Sequence, residues 1–344
     1  MSRLRQESGL LMVTVVTPLA TACLLLVDQP WAAHFIETQL IAGTLFTLGS
    51  LGVGVTLSSI AVPSPMVPSQ LALRLPMLIF LAMAGATAGL GHEGLAASCL
   101  IAALLFTSVL YRIPGRLLSS RALLVGQFLP MAGTTGIWVL VGVLLAAQSH
   151  LVASGVYQAG HRPEGLGWRQ LAGAWTVSAV KDFFFRGHYL ALHALGLADQ
   201  TYAAMLRLLD VVSRPSDYLF QRLVDNAQVG GHLRRVTLFV PLLMLLSLLA
   251  TRAVPAVAGS GWFACALVAC GSGLVFATKY LSFEKNAKLH HGHLSLIYLG
   301  SMALAVPLMW LPAASRLPIV IHLAALATSL CWLLYDHRRS AAPR

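Results

Sequence analysis

The sequence predicts an all-α, polytopic membrane protein of about twelve transmembrane helices arranged in two six-helix lobes. The first observation is composition, because 57% of the 344 residues are hydrophobic and only 10% are charged. Soluble domains carry about 25% charged residues, so this composition is typical of a membrane protein. The second observation is that apolar runs long enough to cross a membrane, about 20 residues, recur along the chain. No polar stretch between them is long enough to form a soluble domain.

Twelve apolar stretches are predicted to cross the membrane in order. They are residues 9–27, 39–62, 70–91, 94–111, 117–132, 137–158, 171–195, 200–224, 236–257, 261–280, 294–312 and 317–335. The first is expected to remain as a span rather than to be removed as a signal peptide, because further apolar spans follow. The fifth and sixth require a turn at GTTG, residues 133–136, which its two glycines permit.

The basic residues outside the spans support this count, because cytoplasmic loops carry an excess of lysine and arginine. With the N-terminus in the cytoplasm, only Arg252 and Arg316 fall at the outer side. Both termini are therefore expected in the cytoplasm, and the net charge of +11 indicates topology rather than nucleic-acid binding. The polar connection 159–170 divides the chain into an N-terminal lobe, residues 1–160, and a C-terminal lobe, residues 161–344. Two such bundles are a common transporter plan.

Charged residues inside the predicted spans concentrate between residues 181 and 222. One stripe, at spacings of 3 and 4, is formed by Arg207, Asp210, Arg214, Asp217 and Gln221. A second stripe, on the preceding helix, is formed by Asp182, Arg186, Tyr189 and His193. Residues three and four apart share one helix face, so each stripe lies on one side of its helix. A turn near Ala198 is expected to place the two stripes at the same depth in the membrane. The predicted pairs are Asp182 with Arg214, Arg186 with Asp210 and Lys181 with Asp217, which leaves Arg207 without an in-span partner.

Two interpretations of these charges stay open. In the first they line a ligand-binding cavity, since charges inside a membrane usually face a cavity or a partner. Surplus arginine suits phosphate, which a guanidinium group binds with two parallel hydrogen bonds. The predicted substrate-binding residues are Arg186, Arg207 and Arg214, supported by a charge network of Lys181, Asp182, Asp210 and Asp217. In the second interpretation the pairs only fasten two helices together.

No catalytic residue, metal site or cofactor is predicted. The chain contains neither a Gly-rich phosphate loop nor a nucleophile elbow. The HHGH stretch, with His290, His291 and His293, carries metal-binding side chains, but Glu284 is the only carboxylate near it and no thiol is close. The sequence therefore favours transport over enzymatic chemistry.

Three patches resemble a known family. Residues 46–61 (FTLGSLGVGVTLSSIA) resemble the Gly-rich second span of polysaccharide flippases of the multidrug/oligosaccharidyl-lipid/polysaccharide exporter superfamily. Residues 111–122 (YRIPGRLLSSRA) are similar to the basic connection after their fourth span. Asp182 followed by residues 196–208 (GLADQTYAAMLRL) is similar to their seventh and eighth spans. The match in span number and in the side of the termini adds to this resemblance.

The resemblance implies a multi-pass protein of the bacterial inner membrane that works by alternating access. Such a protein carries a polyprenyl-pyrophosphate-linked saccharide from the cytoplasmic to the outer leaflet, for polysaccharide biosynthesis in the cell envelope. Its implied partners are the lipid-linked saccharide, membrane lipids and other polysaccharide-synthesis membrane proteins, without nucleic acid. Two alternatives stay open, namely a non-transporting scaffold subunit and a membrane-embedded enzyme of envelope glycan synthesis.

Overall fold

A computed structural model describes residues 18–49, 70–91, 168–225, 233–287, 291–310 and 318–341, with a few isolated positions between 99 and 146. Every element in these ranges is helical, which confirms the all-α prediction for this part of the chain. In chain order the elements are α1 (Pro30–Gly49), α2 (Gln70–Gly89), α3 (Trp168–Asp182), a π-helical segment (Phe183–Gly187), α4 (His188–Ala194), α5 (Gln200–Asp225), α6 (Leu233–Ala253), α7 (Pro255–Ala258), α8 (Gly261–Ala287), α9 (His291–Ala305), a 3-10 segment (Val306–Trp310) and α10 (Pro318–Ala341). Residues 18–25 are also helical.

The chain divides into two compact units. The first comprises Met1–Val16 and Glu37–Phe183, and the second comprises Thr17–Ile36 and Phe184–Arg344. In the first unit, the indole Nε1 of Trp175 in α3 donates a hydrogen bond of 2.8 Å to the carbonyl oxygen of Leu48 in α1. The predicted boundary at residue 160 lies outside the described residues, so the division into lobes 1–160 and 161–344 stays a prediction.

Several helices cover their predicted spans closely. α2 corresponds to the predicted span 70–91, and α5 corresponds to the predicted span 200–224. Within the described ranges, two helical stretches are long and apolar enough to cross a membrane, Gly261–Ser282 and Pro318–Arg339. The full set of twelve spans stays a prediction.

Three helices begin or end at some distance from the ends of their predicted spans. α1 begins at Pro30 and not at residue 39, because proline is favoured in the first turn of a helix. α6 ends at Ala253, because Pro255 cannot donate a helical hydrogen bond and holds Val254 extended, with φ −86° and ψ 110°. α8 continues to Ala287, beyond the end of the predicted span 261–280, because hydropathy detects only the apolar part of a helix.

The second unit is built around α8, which packs against α5, α6 and α10. Glycines on α8 allow this close approach, as small residues do at helix contacts. A methyl group on Gly271 would lie 2.9 Å from a Cδ atom of Leu323 in α10 and 3.2 Å from one of Leu209 in α5. A methyl group on Gly273 would lie 3.1 Å from the Cγ of Met244 in α6.

In the second unit, hydroxyl side chains are buried between helices and apolar side chains are exposed on two of them. Nearly complete burial is found for the hydroxyl side chains of Ser247, Thr251, Ser272, Thr278, Ser301 and Ser329. Exposed apolar side chains include Phe239, Leu242, Leu245 and Leu249 on α6 and Leu296, Leu299 and Leu304 on α9. Because lipid is itself apolar, helices in a membrane associate through small and hydroxyl residues and turn leucine outward.

Candidate functional site

A tight turn joins α4 to α5 where the sequence predicts one. Gly196 has φ of +69°, a left-handed conformation that favours glycine. Its N–H donates to the carbonyl of His193 at 2.9 Å, and the N–H of Leu197 donates to the carbonyl of Leu192 at 2.8 Å. These two bonds form a Schellman motif, so α4 ends here for a local reason.

Asp199 begins α5 by capping it, because its Oδ1 accepts a hydrogen bond of 2.9 Å from the backbone N–H of Tyr202. Replacing Asp199 by alanine is expected to lower the stability of the second unit by about 1 kcal/mol, the usual effect of losing an N-cap. Thermal unfolding of the detergent-solubilised protein, followed by circular dichroism, measures this. The matched control is Asp199→Asn, which keeps a capping oxygen and should unfold within a few tenths of a kcal/mol of wild type. Equal losses in both variants would contradict the capping role.

The segment before this turn is not one uninterrupted α-helix. Phe183–Gly187 form a π-helical segment between α3 and α4. A π turn is wider than an α turn, so side chains after it are rotated relative to those before it. The π-helical segment interrupts the predicted stripe after Asp182, whereas Tyr189 and His193 share one face as predicted, with ring centroids 5.6 Å apart. Such insertions often occur at functional sites.

A buried ion pair lies within α5. The Nη1 of Arg207 is 3.6 Å from the Oδ2 of Asp210, with the two side chains 8% and 24% exposed. The prediction that Arg207 has no in-span partner is wrong, because residues three apart on a helix are neighbours. Ser213 donates a hydrogen bond of 3.1 Å to the carbonyl oxygen of Asp210, and Lys279 of α8 donates one of 2.9 Å to Ser213 Oγ. We call Arg207, Asp210, Ser213 and Lys279 the polar line; it connects α5 to α8.

Lys279 was missed as a site residue, since the sequence places it at the cytoplasmic end of a span. Because α8 continues to Ala287, Lys279 lies inside the helix, and its Nζ is 5.9 Å from the ring centroid of Phe185. This distance is within the range of a cation–π contact. Its position at the end of a predicted span could have indicated that Lys279 lies within a helix, because helices often extend past their apolar part.

A cluster of buried rings lies beside the π-helical segment. His188 Nε2 is 2.6 Å from the hydroxyl oxygen of Tyr202. The His188 ring stacks on that of His322 in α10, with centroids 4.6 Å apart and planes at 20°. His188, Tyr202 and His322 are all buried. None of the three is among the predicted site residues, although a histidine within an apolar span is itself a signal.

The ring cluster extends to α9 and α8 through Phe184. The Phe184 ring stacks on Tyr298 with centroids 4.5 Å apart, and its centroid is 6.4 Å from that of His322. The Tyr298 hydroxyl is hydrogen-bonded to Ser282. α4, α8, α9 and α10 therefore meet through aromatic and hydroxyl groups at one place in the second unit.

The other predicted site residues are distributed over both units. Lys181 and Asp182 end α3 in the first unit, and Arg186 lies in the part of the π-helical segment that belongs to the second unit. α5 includes Arg214 and Asp217, whose side chains lie outside the described residues. The predicted pairs Asp182–Arg214, Arg186–Asp210 and Lys181–Asp217 stay predictions.

The HHGH stretch shows an acidic contact. His293 Nε2 lies 3.2 Å from the Oδ2 of Asp336 in α10. Within the described ranges, no group of three or more histidine, cysteine or acidic side chains is placed to hold a metal ion. His293 instead connects the start of α9 to the last part of α10.

A comparison of the chain with known protein families, with curated proteins and with solved structures found no match. Function is therefore inferred from the contacts of the second unit together with the sequence patterns.

Proposed function

We propose that the protein is a transporter of the bacterial inner membrane that flips a polyprenyl-pyrophosphate-linked saccharide from the cytoplasmic to the outer leaflet. The observation that supports this most is the polar line inside a unit that exposes apolar side chains on α6 and α9. A charge at membrane depth is costly, and such charges are most often retained where they bind or move a solute. The proposal includes twelve spans, with both termini in the cytoplasm.

The exposed leucines and buried hydroxyls of the second unit support its placement in a membrane. In water the same surface would be a large apolar patch, which soluble monomers rarely expose. The two apolar stretches Gly261–Ser282 and Pro318–Arg339 are long enough to cross the hydrocarbon layer.

The charge of the polar line suits an anionic head group. Arg207 and Lys279 are cationic; the Asp210 carboxylate pairs with Arg207, and Ser213 links Lys279 to the backbone carbonyl of Asp210. Guanidinium and ammonium groups bind phosphate oxygens, and a pyrophosphate head group cannot cross hydrocarbon without such substitute interactions. In the proposed mechanism Arg186, Arg207 and Arg214 contact the pyrophosphate, while Lys181, Asp182, Asp210 and Asp217 hold these cations in position. The lipid tail stays in the bilayer.

Access to the polar line requires movement. The Arg207 side chain is 8% exposed, so this conformation offers little of it to a ligand. Alternating access supplies the movement, because separating α5 from α8 would open the polar line to one side of the membrane. The proposed transport cycle therefore alternates between a state with Lys279 bonded to Ser213 and a state in which that contact is broken.

A scaffold subunit is the second candidate function, and the burial of Arg207 favours it. An ion pair formed within one helix needs no ligand to balance its charge. In that case the polar line serves only to fasten α5 to α8, and the exposed faces of α6 and α9 contact lipid or neighbouring membrane proteins.

Flipping in liposomes distinguishes the two candidates. Purified protein is reconstituted with a fluorescent polyprenyl-pyrophosphate saccharide, and the rate at which outer-leaflet label becomes protected is measured. The double variant Arg207→Gln, Asp210→Asn removes both charges and leaves a neutral polar side chain at each position. We expect it to flip at least about tenfold more slowly than wild type, which corresponds to about 1.4 kcal/mol of activation free energy.

The matched control is Arg252→Gln. Arg252 is exposed, lies in the last turn of α6 and places its guanidinium carbon 4.2 Å from the ring centroid of Trp262. This variant also replaces an arginine by glutamine, but at a position outside the polar line. We expect it to flip the lipid-linked saccharide at the wild-type rate. Wild-type flipping by the double variant would show that the ion pair does not bind substrate. Absence of flipping by well-folded wild-type protein, with several lipid-linked saccharides, would favour the scaffold.

A further inference from the structure

His188 and His322 form a stacked pair that the proposed binding of pyrophosphate does not use. Their residues are 8% and 4% exposed, and their ring centroids are 4.6 Å apart. His188 belongs to α4 and His322 to α10, so the stack is a contact between two helices that are distant in sequence. We call these two side chains the histidine pair.

The two histidines differ in their hydrogen bonding. His188 Nε2 is bonded to the Tyr202 hydroxyl at 2.6 Å. His322 Nε2 is buried and has no hydrogen-bond partner within the part of the chain that the structure describes. A buried polar atom without a partner is costly and uncommon. An imidazole nitrogen in this state is either an unused donor or a lone pair that can accept a proton.

The neighbours of the histidine pair are aromatic, hydroxyl and cationic. The titratable groups in this cluster are Tyr202 and Asp199 near the start of α5, Tyr189 from α4, Lys279 from α8 and Tyr298 from α9. Tyr298 reaches His322 through Phe184, and Lys279 lies over the adjacent Phe185. The Asp199 carboxylate is hydrogen-bonded to the backbone N–H of Tyr202 rather than to an imidazole nitrogen of the pair.

We propose that the histidine pair is a proton-binding site whose protonation opens the contact between α4 and α10. A proton from water that binds to Nε2 of His322 creates a buried imidazolium against the His188 ring. Burial disfavours a charged group, and a second proton would bring two positive charges within 4.6 Å. Both costs fall when water reaches the rings, so acid favours a state in which α4 and α10 separate.

This site deepens the proposed function, on which its role rests, by naming the proton as the ion that drives the conformational change. The ring cluster contacts Lys279, which also bonds to Ser213 in the polar line. Separation of α4 from α10 would therefore disturb Phe185 and Lys279 and loosen the contact between α5 and α8. Protonation and access to the polar line are coupled through Lys279.

Hydrogen exchange tests the proton site independently of transport. Deuterium uptake by peptides from α4 and α10 is followed by mass spectrometry from about pH 7.5 to about pH 5, where an ordinary imidazole gains its charge. After correction for the intrinsic pH dependence of exchange, the protection factor of wild type should fall by about tenfold or more on acidification. His322→Phe keeps a stacked ring without a titrating nitrogen and should retain its protection at the lower pH.

The matched control is His193→Gln, because His193 is an exposed histidine of the same helix. It should lose protection on acidification as wild type does. His322→Gln serves as a second variant if His322→Phe does not fold. Protection that is independent of pH in wild type, or an equal loss in the His322 variants, would overturn the proton site. Flipping measured in parallel separates the two proposals, since acid-induced opening without flipping would overturn the transport function alone.

Discussion

Replacing Arg207 by methionine is expected to destabilise the second unit by about 3 kcal/mol. The substitution keeps most of the apolar stem but leaves Asp210, which is 24% exposed, without its cation. Removing one partner of a buried ion pair costs about 3–5 kcal/mol, and the partial exposure of Asp210 places the expected loss at the lower end. The loss of helical circular dichroism during titration of detergent micelles with sodium dodecyl sulfate measures the change.

A double-mutant cycle measures the coupling free energy between Arg207 and Asp210 apart from their other interactions. In Arg207→Met, Asp210→Leu no charge is left unpaired, and we expect most of the lost stability to return, because apolar replacements of a buried pair are often neutral or stabilising. Arg252→Met removes an exposed arginine from the last turn of α6 and should cost less than about 1 kcal/mol. If Arg207→Met were as mild as Arg252→Met, the ion pair would not contribute to the stability of the fold.

The helices that the sequence predicts well are those with strong local end signals. α5 runs from Gln200 to Asp225, against a predicted span of 200–224, because Gly196 and Asp199 fix its start. α8 was predicted too short, since the residues after 280 are polar and hydropathy cannot distinguish a polar helix from a loop. Apolar composition defines where a helix enters lipid, and backbone signals define where the helix ends.

The candidate site could be predicted only in part, for a geometrical reason. Periodicity identifies Arg207 and Asp210 as neighbours on α5, but it does not predict whether each pairs within its own helix or with another. Lys279, Tyr202 and His322 contact residues on other helices, and such contacts depend on how each helix is rotated about its axis. A helix that is apolar on most sides gives no sequence signal for that rotation.

Replacing Gly271 by leucine is expected to cost about 3 kcal/mol, because it inserts a branched side chain where α8 meets α5 and α10. A Cβ atom there would already lie 2.9 Å from a Cδ of Leu323 and 3.2 Å from one of Leu209. Both leucines are buried, at 9% and 3% exposure, so neither can turn outward to make room. Overpacking of a filled core costs about 1–3 kcal/mol, and the two restrained neighbours place this change at the upper end.

Two other glycines give matched controls for this leucine. Gly292, on α9, has open space around its Cβ position, so Gly292→Leu should be neutral or slightly stabilising through better helix propensity. A Cβ on Gly300 would lie 2.7 Å from the Trp332 ring, but Trp332 is 43% exposed and can move outward. In the same titration, Gly300→Leu should therefore unfold at a sodium dodecyl sulfate content between those that unfold Gly271→Leu and Gly292→Leu. Equal stability of all three would mean that close contact at Gly271 does not hold α8 against α5 and α10.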